Sequence, residues 1–391
     1  MLGRRLGAWG EVWDRYVEAP ANYPDIPDEL EKARPAELFT DDPEADPHPD
    51  SWPSWNSEQE KDLSATLAVA AAAPTPQAAR AALKSAHLGH RARASSLWAT
   101  LGKAPLASAL EPLAELADRT TKPFPSATVG EIATWYAETG HQVDALALAS
   151  LAAVKNSDRE AIRGSIAAVY DPWAHDVATA FQAAARSGYP GEVGLTAAPG
   201  TCVVFVDALR YDLAVDLGHR LETTSLAVAT DFRIGAFPSL TPTGQPAVAP
   251  LDPHALGWTG GPDFCAADSA GRPLKGTVLR QALKTAGIDY LEWSELGDPA
   301  GRAWTQMSSI DSLGHSQGRG LVDSLDGQVD TVASRIRALL AHGGKRILVV
   351  TDHGFLLPAG NPLKVDLPLA LTEGENTRKP RVARLRPGNT H

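Results

Sequence analysis

The spacing of hydrophobic and polar positions divides the chain into two textures. From about Ser57 to Ser187 the sequence is rich in alanine and leucine, and apolar residues recur at steps of three and four, as at Ile162, Ile166 and Val169. This period is typical of amphipathic helices. Prolines and glycines interrupt the pattern at intervals, so we predict a bundle of roughly five to seven helices.

After about residue 200 short apolar runs alternate with helical patterns. The runs Cys202–Val206 and Ile347–Val350 are continuously apolar, as is typical of strands covered on both faces. The alternation predicts an α/β fold with a doubly wound, mainly parallel sheet. Further strands are expected at Ala227–Ala229, Phe232–Ile234, Ile288–Leu291 and Trp304–Ile310, with possible edge strands at Leu363–Leu371 and Arg381–Leu385, and helices at Tyr211–Leu221, Lys275–Ala286 and Leu321–Leu340.

An acidic run broken by prolines, between Asp41 and Pro53, indicates a linker or an exposed loop. We therefore predict three segments. Residues 1–56 form an N-terminal segment with the acidic linker, residues 57–190 form an all-α domain, and residues 200–391 form the α/β domain.

Composition narrows the class of protein. The 391 residues carry a net charge of −11, which argues against a broad surface for binding nucleic acid or membranes. A local basic groove for nucleic acid remains compatible with this total. Two cysteines, Cys202 and Cys265, are too few for a disulfide framework and fit a reducing compartment. No stretch approaches the ~18 apolar residues of a membrane span. We expect a soluble cytoplasmic protein.

Three of the predicted strands are followed by residues of the types that commonly bind metals. Asp207 follows the first strand, Asp311 and His315 follow the Trp304 run, and Asp352 and His353 follow the last. Because parallel strands end at one edge of a sheet, these side chains are expected to converge there. Carboxylate and imidazole together suit Zn²⁺ or Mn²⁺. Taken singly, each has a simpler interpretation, such as a helix cap, a turn acid or a surface histidine.

The loop Pro238–Gly244 offers hydroxyls at Ser239, Thr241 and Thr243 on a backbone stiffened by two prolines. Clustered divalent metals suit phosphoryl transfer, and a hydroxyl bound to such a cation can attack phosphorus near neutral pH. A nucleophile from this loop is therefore expected.

Arg210 lies three positions after Asp207, where the next predicted helix begins. Its guanidinium is suited to a phosphate oxygen, and the helix N-terminus would add its own dipole. A salt bridge to Asp212 or Asp216 is an equal alternative.

Four motifs in chain order resemble those of the alkaline phosphatase superfamily, in particular its nucleotide pyrophosphatase/phosphodiesterase branch. They are Asp207, Pro238–Thr241, Asp311–Gly318 and Thr351–Gly354. The run Asp207–Asp212 makes the resemblance narrower, because it is similar to the PglZ domain of bacteriophage exclusion (BREX) defence systems. The resemblance covers about Thr201 to Pro358, under half of the chain.

The resemblance implies an alkaline-phosphatase-like fold and a phosphodiesterase or phosphatase with two divalent metal ions, Zn²⁺ or alternatively Mn²⁺. Thr241 matches the nucleophile. The ligands implied are Asp207, Thr241, Asp352 and His353 for one metal and Asp311 and His315 for the other. The implied partners are a phosphate ester as substrate and other BREX proteins, of the methyltransferase and ATPase types.

The chain departs from the family pattern after His353, where a third ligand to the second metal, a histidine followed by glycines, is expected. The remaining histidine there is His391, the final residue. We therefore expect a chain truncated at its C-terminus. The alternative function is a catalytically incomplete scaffold subunit of the defence complex. A sulfatase is disfavoured, because neither Cys202 nor Cys265 lies in the required C/S-x-P-x-R context.

Overall fold

We describe the protein from a computed structural model. The described residues are 1–35, 48–125, 128–155, 158–190, 194–222, 226–253, 256–258, 264–357, 368–373 and 386. Contacts divide the chain into two compact units: the first is mainly Met1–Phe124 with Gln142–Thr179, and the second is mainly Pro125–His141 with Ala180–Leu357. The three-segment division predicted from the sequence stays a prediction.

The α-helices and β-strands follow one another along the described residues. The helices are α1 (Trp9–Glu18), α2 (Ile26–Lys32), α3 (Pro53–Ala71), α4 (Pro76–His90), α5 (Leu97–Thr100), α6 (Pro105–Arg119), α7 (Val129–Trp135), α8 (His141–Ala152), α9 (Asp158–Ser187), α10 (Tyr211–Leu221), α11 (Thr241–Ala247), α12 (Thr277–Thr285), α13 (Ser309–Gln317) and α14 (Val322–Ala341). The strands are β1 (Thr201–Val206), β2 (Gly257–Trp258), β3 (Ala266–Ala267), β4 (Asp289–Tyr290), β5 (Arg302–Met307) and β6 (Arg346–Val350).

The first unit is helical, and the predicted helical pattern is confirmed. The described residues between Pro53 and Ser187 form seven α-helices, α3 to α9, of which α7 and the end of α9 belong to the second unit. Local signals set their ends: α4 begins after Thr75, whose side chain accepts a hydrogen bond from the Ala78 N–H. Buried leucines such as Leu63 and Leu83 form the core. None of the helices in the described ranges combines the length and the apolar character that a bilayer span requires.

The second unit contains a four-stranded sheet in the order β4-β5-β1-β6, with every neighbouring pair parallel. Each residue of β1 is buried, and Val204 lies opposite Thr305 on one side and Val349 on the other. The Phe205 and Trp304 rings stack at 5.5 Å in the core. A parallel sheet flanked by helices confirms the α/β class, whereas the doubly wound arrangement stays a prediction. Strands β2 and β3 form a separate antiparallel pair.

The predicted strand at Trp304–Ile310 is wrong at its end. Strand β5 stops at Met307 and α13 begins at Ser309, so Asp311 lies in the first turn of a helix. The charge of Asp311 in the first turn favours a helix start, and the apolar Ile310 is buried on this helix instead of extending the strand.

Agreement between prediction and structure differs among the other predicted elements. Helix α10 has the predicted bounds, and α12 and α14 agree with prediction to within two residues. The strands predicted at Ala227–Ala229 and Phe232–Ile234 are absent from this described stretch, because three-residue segments with few buried side chains gain little from burial. The possible edge strands lie almost wholly outside the described residues, and Leu369–Leu371 is a 3-10 turn.

Candidate metal centre

The centre is built at the carboxyl ends of β1 and β6, which are neighbours in the sheet. Asp207 follows β1 directly and Asp352 follows β6 by one intervening residue. Both are buried, with 6% and 5% of their surface exposed. The parallel ladder therefore brings together two carboxylates that lie far apart in sequence.

His353 joins these two carboxylates. Its Nε2 lies 3.6 Å from Asp207 Oδ1 and 3.6 Å from Asp352 Oδ2. Its Nδ1 lies 2.9 Å from the carbonyl oxygen of Gly354. Because a carbonyl can only accept, Nδ1 is the donor in this contact, and Nε2 faces the acids.

Asp311 completes a possible metal site. One ligand atom each from Asp207, Asp311 and His353 lies within 4.8 Å of the other two. Asp311 approaches from the first turn of α13, with 26% of its side chain exposed. The cluster thus combines two hard oxygen ligands and one imidazole nitrogen, a set that suits Zn²⁺ or Mn²⁺.

Hydrogen bonding supports the fit of a cation to this cluster. Among the described residues, no donor bonds to the buried atoms Asp207 Oδ1 and Asp352 Oδ2. Buried carboxylate oxygens without donors are costly. A divalent cation would supply the missing electrostatic partner, so the residues present fit a metal.

In the absence of a metal, the burial and closeness of these carboxyl groups change their pKa values. Burial, followed by the negative charges of Asp352 and Asp311, raises the pKa of Asp207 to about 7. Burial also raises the pKa of Asp352, against the opposing effect of His353. Metal binding near neutral pH therefore competes with a proton on Asp207.

Thr241 is brought to the cluster by α11, of which it is the first residue. Its Oγ1 lies 3.1 Å from His353 Nε2. The helix approaches closely because of Gly244: a Cβ there would lie 2.8 Å from the Cβ of Asp352. A side chain at residue 244 would push Thr241 away from the acids.

The two other hydroxyls of this loop are placed differently. Thr243 is 1% exposed, and its hydroxyl donates to the carbonyl oxygen of Phe264 at 2.6 Å. Ser239 is exposed. Of the three candidate nucleophiles, Thr241 is the one in described contact with His353.

Arg210 forms a buried ion pair. Its Nε donates to Asp212 Oδ1 at 2.8 Å, and its Nη2 bonds the second carboxylate oxygen. The guanidinium carbon also lies 4.9 Å from the centre of the Phe355 ring. This geometry matches the salt-bridge alternative, while the phosphate contact stays a prediction.

His315 lies one helical turn after Asp311 on α13. Its Nε2 is 3.5 Å from Asp311 Oδ2, but 72% of its side chain is exposed. It lies outside the group formed by Asp207, Asp311 and His353. The structure therefore places His315 beside one ligand of the cluster and not within it.

Comparison with known proteins gives one informative similarity. The chain is 29% identical over 175 residues to the alkaline phosphatase-like protein BrxZ of Escherichia coli O9:H4 (strain HS). The resemblance to alkaline phosphatase-like PglZ proteins is confirmed. The match covers 39% of this chain and 19% of BrxZ, so the chain spans about a fifth of that relative. No family model matches the chain, and no solved structure matches it.

Similarity to BrxZ and the geometry at the sheet edge are independent observations. The first concerns residue identity over a limited stretch, and the second concerns where Asp207, Asp311 and His353 lie in space. Sequence reasoning missed two contributors to this edge, the close approach at Gly244 and the side-chain bonds of Thr351. Neither has a periodic signal, because the first depends on how α11 meets the Asp352 loop and the second on how two loops meet.

Proposed function

We propose that the protein is a metal-dependent phosphohydrolase, a phosphodiesterase or phosphatase, of a BREX defence system. One observation carries the proposal: a cluster of Asp207, Asp311 and His353 with the Thr241 hydroxyl 3.1 Å from the His353 Nε2. Carboxylates and an imidazole beside a hydroxyl form the set that metal-assisted attack on phosphorus requires. Similarity to BrxZ supports the same class.

Each residue has a defined part in this proposal. Asp207, Asp352 and His353, with Thr241, hold one metal, and Asp311 and His315 hold the second. When bound, divalent ions such as Zn²⁺ or Mn²⁺ would lower the pKa of the hydroxyl and neutralise charge on the phosphoryl oxygens. His353 keeps its Nε2 available, because its Nδ1 proton is held by the Gly354 carbonyl.

The Thr241 oxygen forms a bond to phosphorus as the bond to the leaving alcohol oxygen breaks, giving a phosphothreonine. Water then attacks this ester, releasing phosphate or a phosphomonoester and restoring the hydroxyl. Gly244 keeps Thr241 close to Asp352 throughout, since no side chain separates the two backbones.

A second candidate is a scaffold subunit of the defence complex, in contact with components of the methyltransferase and ATPase types. The positions of His315 and Arg210 favour this alternative. His315 is 72% exposed, and the fork of Arg210 is occupied by Asp212. In this alternative the fold is retained and the chemistry is incomplete.

Turnover of an aryl phosphate monoester and an aryl phosphodiester, with Zn²⁺ or Mn²⁺ added, separates the two candidates. We expect Thr241→Ala to abolish hydrolysis, because it removes the attacking oxygen. Ser239→Ala is the matched control and should retain it, because Ser239 is exposed. Equal hydrolysis by Thr241→Ala would refute the nucleophile. A metal-loaded wild type that hydrolyses neither ester would favour the scaffold.

A further inference from the structure

We infer that Thr351 is a positioning residue whose side-chain hydroxyl fastens the Asp207 loop to the Asp352–His353 loop. The inference rests on the proposed metal site and names a residue outside its ligand set. A single hydroxyl lies between the two loops that supply three of the four ligands proposed for the first metal.

The sheet itself does not hold these loops together. The ladder between β1 and β6 ends at the pair Phe205 and Val350, so Asp207 and Asp352 both lie two residues beyond it. The Asp207 N–H donates instead to the Met307 carbonyl at 2.9 Å, on the β5 side. The separation between the loops must be set by other contacts.

Thr351 supplies such contacts through both hydrogen-bonding functions of its hydroxyl. Its Oγ1 accepts from the Leu209 N–H at 3.1 Å and donates to the His353 carbonyl at 3.0 Å. One hydroxyl offers one proton and two lone pairs, so it can serve both partners together. The bond to Leu209 crosses from one loop to the other, and the bond to His353 holds the second loop in place.

The turn on the first loop needs this support. Ala208 has φ +63°, in the left-handed region that disfavours any residue with a Cβ. Such a conformation persists where the surroundings over-determine it. The Leu209 N–H also reaches the Val206 carbonyl at a longer 3.3 Å, and the Ala208 N–H reaches Asp352 Oδ1 at 3.5 Å. The Thr351 bond is the shortest of these three.

The second loop fits against the first over a short distance. A Cβ at Gly354 would lie 2.9 Å from the Cγ and 3.6 Å from the Cα of Arg210, so Gly354 packs directly against Arg210. Loss of the Thr351 hydroxyl would release Leu209 and the His353 carbonyl together. We therefore expect the 3.6 Å spacing of Asp207 Oδ1 and His353 Nε2 to loosen.

The test is the affinity of the full chain for Zn²⁺ and Mn²⁺, measured by titration calorimetry. Thr351→Val replaces the hydroxyl by a methyl of similar shape and should weaken binding about 10–100-fold, the usual effect of losing a group that orients a ligand. Thr351→Ser keeps the hydroxyl and should bind nearly as the wild type does. Thr305→Val, the same change on β5 at a hydroxyl without a described partner, should leave affinity unchanged.

Hydrogen exchange of the metal-free protein gives a readout that needs no metal. The Leu209 amide should exchange several-fold faster in Thr351→Val than in the wild type or in Thr351→Ser. Thr351→Ala provides a second hydroxyl-free variant should the valine protein not fold. Unchanged metal affinity of a folded hydroxyl-free variant would overturn the inference, and so would unchanged Leu209 exchange.

Asp352→Asn separates this inference from the proposed function. If Asp352→Asn weakens metal binding and Thr351→Val does not, the metal site stands and the positioning role fails. If wild type and Asp352→Asn bind equally, the proposed site itself fails, and the inference fails with it. Weaker binding by both variants, with rescue by Thr351→Ser, supports both.

Discussion

Asp207 should make the metal-free protein less stable as the pH rises from 5 to 7. Burial and the nearby charges of Asp352 and Asp311 raise the pKa of this carboxyl from 3.8 to about 7. Between these two values the folded protein holds a proton that the unfolded chain has released. The free energy of unfolding therefore decreases with rising pH across this range.

The magnitude follows from the size of the pKa shift. Each pKa unit is equivalent to about 1.36 kcal/mol, and the dependence is steepest between the two pKa values. It flattens as the pH reaches the folded-state pKa. From pH 5 to pH 7 the contribution of Asp207 to the free energy of unfolding should decrease by about 2 kcal/mol.

Denaturant unfolding in the presence of a chelator measures this quantity at pH 5, 6 and 7. Asp207→Asn is the matched variant, because it keeps the shape of the side chain and removes its titration. The wild type should lose about 2 kcal/mol relative to Asp207→Asn over this range. Adding Zn²⁺ at pH 7 should restore stability to the wild type, by about 2.7 kcal/mol at a hundredfold excess over the dissociation constant.

The reasoning is refuted if wild type and Asp207→Asn change in parallel between pH 5 and pH 7. A wild type that gains stability relative to the variant would reverse the sign. Either result would mean that Asp207 is charged in the metal-free fold, in spite of its 6% exposure and its acidic neighbours.

Two further substitutions test the interior of the second unit by denaturant unfolding. Thr305→Val should raise the free energy of unfolding by about 1 kcal/mol, because it removes a buried hydroxyl that has no partner among the described residues; a loss of stability would contradict this. Arg210→Ala should lower the free energy of unfolding by about 3–5 kcal/mol, because Asp212 would be left buried and unpaired. A small loss of stability with a large rise in KM for an aryl phosphate would instead favour a phosphate contact by Arg210.

The sequence carries a strong signal for the centre of the sheet. The runs around Val204 and Val349 are apolar at every position, and each is followed within two residues by an acid. Parallel pairing of β1 with β6 then brings Asp207 and Asp352 to the same edge of the sheet, and the loop contacts beyond the ladder set their separation. Periodicity predicts the two strands and their terminal acids, whereas the pairing of β1 with β6 is seen in the structure.

Asp311 shows where that reasoning stops. An apolar isoleucine before it extended the strand pattern, yet the hydroxyl residues Ser308 and Ser309 begin a helix. The acid still reaches Asp207, because α13 starts directly beyond the end of β5, which pairs with β1. Its partner His315, one turn further along the helix, is carried outwards to solvent.

The difference between ligands at strand ends and ligands on a helix explains why the proposed first and second metal sites differ. Ligands at strand ends are fixed by a ladder that the rest of the sheet supports, and a short loop adds only the small separation that a side chain such as Thr351 can span. A ligand on a helix depends also on its position along the helix axis, and His315, four residues after Asp311, lies about 6 Å further along the same face. Asp311 in the first turn is directed to the strand ends, whereas His315 is not. Completion of a second metal site at Asp311 therefore requires His315 to reorient or a further ligand to approach the exposed side of α13.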